Sequence, residues 1–501
     1  MLDAIVVGAG IGGLSAAITL GAAGKRVKVF EAAPDLGGKA GVTEIEGVEV
    51  DTGPTLLTMP EVFDDVLGLA GMSVAADMPL RRAEPAFRYF WPDGTMLDLH
   101  HEVEATLASV RGVLGARAAN ELEKFLEYAS GIWSVARRRF LFTEPPTLAT
   151  FVRLGIGGLR EASRLDAWTT MQRALEARVS SRHLRDVLAR YATYNGSDPR
   201  RAPATLHCIA HVELVQGGAA VLGGTRALVT ALERASRRVG VEIETGTAIR
   251  GIRVDRGRVV GVETARGEHV AAGIVVANAD VAHVASDLLP RPVSRALERP
   301  ADLSTSGWCA VIRATRREER AGHTVLFPHD YQGEFVDLFD RGRPPVEPTI
   351  YLCAQEKSHG RRGWVSHEPV FVMVNAPAEP VSGRTPDATW AALEARVLER
   401  LRHTGLVDPE DGIVWRRTPS DLAERFPGSR GAIYGPASHG IQAAFKRAPN
   451  AIAEVPGLYL ASGSVHPGGG MPLAALSGMN AARAALKAAT ADRSTLRMET
   501  P

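Results

Sequence analysis

The hydrophobic pattern of the first thirty residues changes period twice. Ala4–Val7 is an unbroken apolar run with β-branched residues, the signature of a short strand buried on both faces. Gly8, Gly10 and Gly13 follow, and "LSAAITLGAAG" then reads as a helix with small residues on its packed face. "RVKVFE" returns to strand periodicity and stops at Glu31. Beyond a turn at Asp51, Thr52, Gly53 and Pro54, "PEVFDDVLGL" predicts a helix starting at Pro60. "FRYFWPDGTMLDL" predicts a hairpin around its Pro-Asp-Gly. Residues 101–190 are mostly helical in pattern, and "LGGTRALVTALERASRRVG" is an amphipathic helix. Residues 240–280 alternate as a β-meander and end in a buried strand, "GIVVANAD". A helix at "TWAALEARVLERLRHTG" lies in a mixed stretch over 286–439. "GLYLAS" then predicts a strand, and "MPLAALSGMNAARAAL" a helix with Pro472 in its first turn.

Strand, three glycines, helix, strand and terminal acid, in that order, are what a dinucleotide held by backbone requires. Gly8 allows the tight turn, Gly10 lets a pyrophosphate approach the main chain, and Gly13 lets the helix pack closely on the strand. The free N–H groups of the helix stabilise phosphate charge. Glu31 falls about twenty positions on, where the geometry places a hydrogen-bond acceptor for a ribose. The continuation "AAPDLGGKAG" resembles the ExxxxxGG[RK] extension of the large flavoprotein superfamily that includes amine oxidases and carotenoid desaturases. That extension favours FAD over a nicotinamide nucleotide. Gly37 and Gly38 would pass close to the pyrophosphate, with Gly53 in the turn beyond. Lys39 stands where Arg is usual and either offers a cation there or is a solvated surface lysine. A strand of the meander is expected to rejoin the nucleotide sheet, with the backbone near Ala248 reaching the adenine. The chain has no second GxGxxG after a strand, which argues against NAD(P)H as electron donor or acceptor.

Composition narrows the class without redirecting it. The 501 residues exceed one ordinary core, so intertwined units are expected. A net charge of +1 gives no global field toward nucleic acid. Cys208, Cys309 and Cys353 are far apart and form no CxxC pair, so neither a disulfide framework nor a metal site is expected, and a reducing cytoplasm is the default. The N-terminus does not read as a signal peptide, and no stretch has the roughly 18 apolar residues of a membrane span. Arg137, Arg138 and Arg139 adjoin Phe140, Leu141 and Phe142, a combination that suits either a peripheral membrane contact or an ordinary amphipathic helix. No internal repeat is evident, and the tail at 491–501 is expected to fray.

Between the last predicted strand and helix lies Gly-Ser-Val-His-Pro-Gly-Gly-Gly, a second strand–glycine–helix junction running from Gly463 to Gly470, Met471 and Pro472. A helix N-terminus here suits the N1/O2 edge of a flavin, where negative charge develops on reduction. His466 in this turn is either a polar active-site group or a residue that fixes the turn by hydrogen bonding. His211 and Glu213 in "HVELVQGG" are further candidates, or residues of a strand beside the cofactor.

"DTGPTLLTMPEVF", "HVELVQGGAAVLGGTRALVTAL", "VVANAD" and "GLYLASGSVHPGGGMPLAALSG", in this order and over nearly the whole chain, resemble the bacterial phytoene-desaturase family of carotenoid desaturases. "TGPTLLTMP" and "MPLAALSG" are most similar to the hydroxycarotenoid 3,4-desaturases (methoxyneurosporene dehydrogenases). The resemblance implies an α/β fold: an FAD-binding Rossmann-like (ββα) domain at 1–85, 212–285 and 440–490, intertwined with a mixed α+β substrate domain at 286–439 and a helical, membrane-facing region at 86–211. It implies an apolar carotenoid substrate and formation of a C=C bond by hydride transfer to flavin N5, with no strong general base required. Oxygen or a quinone would take the electrons, on the inner face of the cell membrane. Phytoene or neurosporene desaturation and carotenoid isomerisation stay open within the family. A non-catalytic prenyl-binding protein like the Rab GDP-dissociation inhibitors is the alternative of another class, and its degraded nucleotide site contrasts with the intact glycines here.

Overall fold

The computed structural model describes residues 2–142, 163–290, 297, 302–440 and 447–498. Ala4–Val7 is completely buried at the centre of a five-stranded parallel sheet. The strand order is Leu458–Leu460, Ile274–Ala277, Ala4–Val7, Val27–Phe30 and Glu242–Glu244. The chain therefore enters this sheet on three separate occasions, near its start, its middle and its end. Strands buried on both faces need layers above and below, and their apolar runs supply both. One layer contains the first helix (Ile11–Ala22), the amphipathic helix (Thr225–Arg238), the Pro60–Gly68 helix and the C-terminal helix. The other is reached through a three-stranded antiparallel sheet of Ile249–Asp255, Arg258–Thr264 and His269–Ala271.

A seven-stranded sheet forms the second body, in the order Gly412–Arg417, Ser306–Thr315, His367–Ala376, Ile350–Ala354, His323–Leu326, Phe87–Phe90 and Met96–Leu99. The predicted hairpin is its edge pair. Ser306–Thr315 alternates between two buried environments. Trp308, Ala310, Ile312 and Ala314 pack on the helix Asp387–His403, and Cys309 and Val311 face the hairpin Val42–Ile45 and Val48–Asp51 that follows the nucleotide turn. Phe87, Tyr89, Leu97 and Leu99 pack against helices Val103–Leu114, Ala116–Ala136, Met171–Arg178 and Arg182–Ala189.

Three local expectations need correction. His211 and Glu213 lie on consecutive helical segments, Cys208–His211 and Val212–Gly217, not on a strand, because "HVELVQ" buries successive residues as a helix can. The C-terminal helix runs on to Met498, past the point where fraying is expected; 499–501 lie outside the described residues. Phe140, Leu141 and Phe142 are half-buried against the core rather than fully presented outward, while Arg137, Arg138 and Arg139 are exposed. Part of the predicted helical stretch, 143–162, lies outside the described residues.

The first and C-terminal helices touch through backbone. A Cβ on Gly478 would collide with the carbonyl oxygen of Gly12 and stand 2.9 Å from the nitrogen of Ala16. Gly478→Val should therefore cost about 2 kcal/mol or more through overpacking, read as a lower denaturant midpoint. A wild-type midpoint would show that the helices can separate at no cost.

Candidate active site

Gly8, at φ +96°, turns the chain out of the central strand, and its N–H donates to the Phe30 carbonyl at 2.7 Å. The first helix begins at Gly10 with no side-chain cap and no acidic residue in its first turn. Its N–H groups therefore point their partial positive charge at whatever lies beyond the turn. Gly37 donates to the Ala9 carbonyl at 2.9 Å and pairs with Gly10, while a Cβ on Gly38 would lie 3.3 Å from the Gly10 Cα. The two glycine turns are thus stacked backbone on backbone. Gly53 packs on the same surface, where its Cβ would come within 2.5 Å of the Lys39 carbonyl.

Glu31 closes the second strand. Its Oε2 accepts from Ala9 N at 2.7 Å and its Oε1 from Ala33 N at 2.9 Å. Its carbonyl accepts from Thr247 N at 2.9 Å, which brings Ala248 alongside. Each carboxylate oxygen retains acceptor capacity for a sugar hydroxyl. Lys39 departs from its solvated-surface alternative. It is half-buried, and its Nζ donates to the carbonyls of Ala432 (3.0 Å) and Ile433 (2.8 Å). Desolvation pushes its pKa down. It fastens a distant loop instead of sitting as a solvated surface cation.

The C-terminal junction lies against this first one. Ala461 N donates to the Ala277 carbonyl at 3.0 Å, and a Cβ on Gly12 would be 3.0 Å from the Ala474 carbonyl. Gly470, at φ +102°, faces open space where the C-terminal helix begins at Met471 and Pro472. Gly463 accepts from Arg447 Nη1 at 2.8 Å. His466 is buried; its N–H donates to the Ala448 carbonyl at 3.0 Å and its carbonyl accepts from Asn450 Nδ2 at 3.0 Å. This stretch of main chain is held on both sides, by bonds that any residue at 466 would make.

Three further side chains organise the site, and of these only Asn278 lies in a stretch that stands out in the sequence, "VVANAD". Asn278 ends the "VVAN" strand and donates through Nδ2 to the Ala461 carbonyl. Cβ atoms on Gly8, Gly10, Gly12 or Gly13 would all meet it. Part of what the glycines accommodate is therefore a neighbouring side chain. Asn450 bonds Leu460, His466 and Ser477, and so ties strand, turn and helix together. Arg447 is buried with four oxygen partners, on Tyr434, Gly463, Pro436 and Asn195, and burial lowers its pKa to about 10. The position of Asn278 at the exit of a buried strand was the one signal available.

A polar and aromatic wall stands beside the Gly53 turn. Asp51 accepts from Thr225 N at 2.8 Å and lies 3.1 Å from His359 Nδ1. Thr55 bonds Tyr351 (2.6 Å), which bonds His323 Nδ1 (2.7 Å), whose Nε2 meets Ser358 (3.0 Å). Burial holds the pKa of His323 down to about 3 and that of His207 to about 4, so both imidazoles are neutral at pH 7. Burial also lowers the pKa of His211.

Two glycine turns, one acceptor at a strand end and an uncapped helix start fit FAD, and the fold and site define an FAD-dependent oxidoreductase. The model of the family described as flavin-containing amine oxidoreductase matches residues 11–486, and the chain belongs to that family. It is 36% identical over 484 residues to a hydroxyneurosporene desaturase of Rubrivivax gelatinosus, covering 95% of this chain and 92% of that one. A 4,4'-diaponeurosporene oxygenase of Staphylococcus aureus is 30% identical, with 95% and 97% covered. Among solved structures, an oxidoreductase from Methanosarcina mazei superposes with a TM-score of 0.61 at 16% identity, covering 95% of this chain and 99% of that one.

Glu31→Ala removes an acceptor from two backbone N–H groups and from the ribose position. FAD affinity should fall roughly tenfold or more, measured as flavin absorbance per polypeptide and by FAD titration; full retention would assign Glu31 to the turn alone. A second expectation concerns pH. The folded pKa values of His207 and His323 lie below the unfolded value near 6.5, so the unfolded chain binds protons first on acidification. Stability should drop as pH falls from about 6.5 toward 4, by up to ~1.4 kcal/mol per pH unit per imidazole. The slope should be shallower in His323→Phe; an identical slope would exclude His323 from the effect.

Proposed function

We propose that this chain is a carotenoid desaturase that forms a C=C bond by 3,4-desaturation of a 1-hydroxycarotenoid. The observation that carries the reading is 36% identity over 95% of the chain to a hydroxyneurosporene desaturase, in a protein whose two flavin turns are intact and adjacent. Bound FAD supplies a hydride acceptor, and the neighbouring carbon of the substrate loses a proton. Gly8, Gly10, Gly13, Glu31, Gly37, Gly38, Gly53 and the backbone at Ala248 would hold its nucleotide half, and Gly463, Gly470, Met471 and Pro472 its ring half. The protein's own work is then to orient a long apolar chain and keep water away. His466 lies in the turn that would face the ring and is the polar side chain proposed for that place.

Oxygen or a lipid-soluble quinone is the electron acceptor in this reading, since no second nucleotide motif is present in the sequence. Exposed Arg137, Arg138 and Arg139, with Trp168 at 79% exposure, support docking on the inner face of an anionic membrane. No described helix is long and apolar enough to cross one.

Expression in cells that separately accumulate phytoene, neurosporene or 1-hydroxyneurosporene tests the reading. The expected result is a pigment lighter by two hydrogens and absorbing at longer wavelength, formed from the hydroxylated substrate. Desaturation of phytoene alone would move the protein to the neighbouring activity, and unchanged pigments in all three hosts would overturn the reading.

A further inference from the structure

Arg417 ends the edge strand Gly412–Arg417 of the seven-stranded sheet and stands opposite Cys309 in the antiparallel ladder. Residues opposite one another share a face, and Cys309 faces the hairpin that leads into the Gly53 turn. The guanidinium therefore leaves its own sheet and reaches the nucleotide-binding part. Its Nη2 donates to the carbonyl of Thr52, the residue before Gly53. Its Nη1 lies 4.0 Å from where a Cβ on Gly41 would stand, and a Cβ on Gly53 would lie 3.1 Å from the Gly41 nitrogen. The Trp415 ring, at 5.3 Å, supports the guanidinium from the same strand.

This is an expensive place for a cation. The Arg417 Nε is buried with no hydrogen-bond partner, and among the described residues no carboxylate pairs with this side chain. Lys39 shares the neighbourhood: burial lowers its pKa, and Arg417 lowers it further against the attraction of Asp280. Lys39 spends its Nζ on the carbonyls of Ala432 and Ile433, whereas Arg417 keeps its Nε–H free. An unpaired buried charge and an unmade N–H bond both cost stability, and one anionic acceptor entering the site would offset both. The neighbourhood is also tied to the ring-side turn, because Arg447 joins Tyr434, the residue after Ile433, to Gly463.

We propose that Arg417 donates through Nε to the flavin ring of bound FAD and stabilises the negative charge that the ring gains on reduction. The inference rests on the assignment of the Gly53 and Gly463 turns to FAD. A guanidinium suits this work because it stays charged at any working pH and its plane is fixed by the Thr52 carbonyl and the Trp415 ring. A charge beside the ring acts more strongly on reduced than on oxidised FAD, whereas one beside the phosphates acts equally on both.

Purified wild type, Arg417→Met, Arg417→Gln and Arg417→Lys are compared by FAD titration and by the reduction potential of the bound flavin, measured against a reference dye. Arg417→Met should weaken binding of reduced FAD about tenfold more than binding of oxidised FAD, which lowers the two-electron potential by about 30 mV. Arg417→Lys, which keeps the charge, should retain most of the wild-type potential, and Arg417→Gln, which keeps a donor, should fall between. An unchanged potential in the FAD-loaded variants overturns the inference and makes Arg417 a clamp on Thr52 or a phosphate contact. Loss of FAD from all three variants also overturns it and makes Arg417 a folding element only. If Arg417→Met alone fails to load FAD, the other two variants decide. A wild type that takes up no FAD overturns the cofactor assignment itself, a result distinguishable from an unshifted potential.

Discussion

The structure depends on how closely two backbones can approach. Gly12 and Gly478 let the first and last helices meet main chain to main chain, and Gly8, Gly10 and Gly13 leave the space that Asn278 enters. Interiors are packed too densely for a methyl group to be absorbed at such points. The contact places two helix starts, more than 450 residues apart in sequence, at one locus. FAD binding depends on that placement, because a dinucleotide needs its phosphates and its ring held at a fixed separation.

The second body uses different physics. Its seven-stranded sheet is apolar on both faces, so it can be covered by the Asp387–His403 helix on one side and can present a dry surface to the nucleotide-binding part on the other. Polar groups on that surface occur as connected sets: Asp51 with His359 and Thr225, and Thr55 with Tyr351, His323 and Ser358. In a low-dielectric interior a satisfied set fixes geometry, and an unsatisfied member would be expensive. An apolar substrate requires such rigidity in its walls, since it offers few polar handles of its own.

Arg447 and Lys39 show how charge is used where, among the described residues, no carboxylate partner is within ion-pairing distance. Each spends its donors on main-chain carbonyls: Arg447 on Tyr434, Gly463 and Pro436, and Lys39 on Ala432 and Ile433. Both tie the 432–436 segment to the glycine turns. A cation engaged in this way is a clamp on backbone. That explains why Lys39 is not a solvated surface lysine.

The chain alone determined the elements whose physics is local. The βαβ unit, the acid at its end, the helix at Pro60, the 87–99 hairpin and the glycine turn before Pro472 are all set by periodicity, by φ restrictions and by the absence of side chains at stated positions. Tertiary structure decided what depends on neighbours distant in sequence. It put Glu213 on a helical turn between two tyrosines, gave Lys39 its carbonyl partners and brought Asn278, Asn450 and Arg447 to the site. Asn450 and Arg447 have no local signature, because an amide or a guanidinium acquires its role only from the acceptors the fold sets around it.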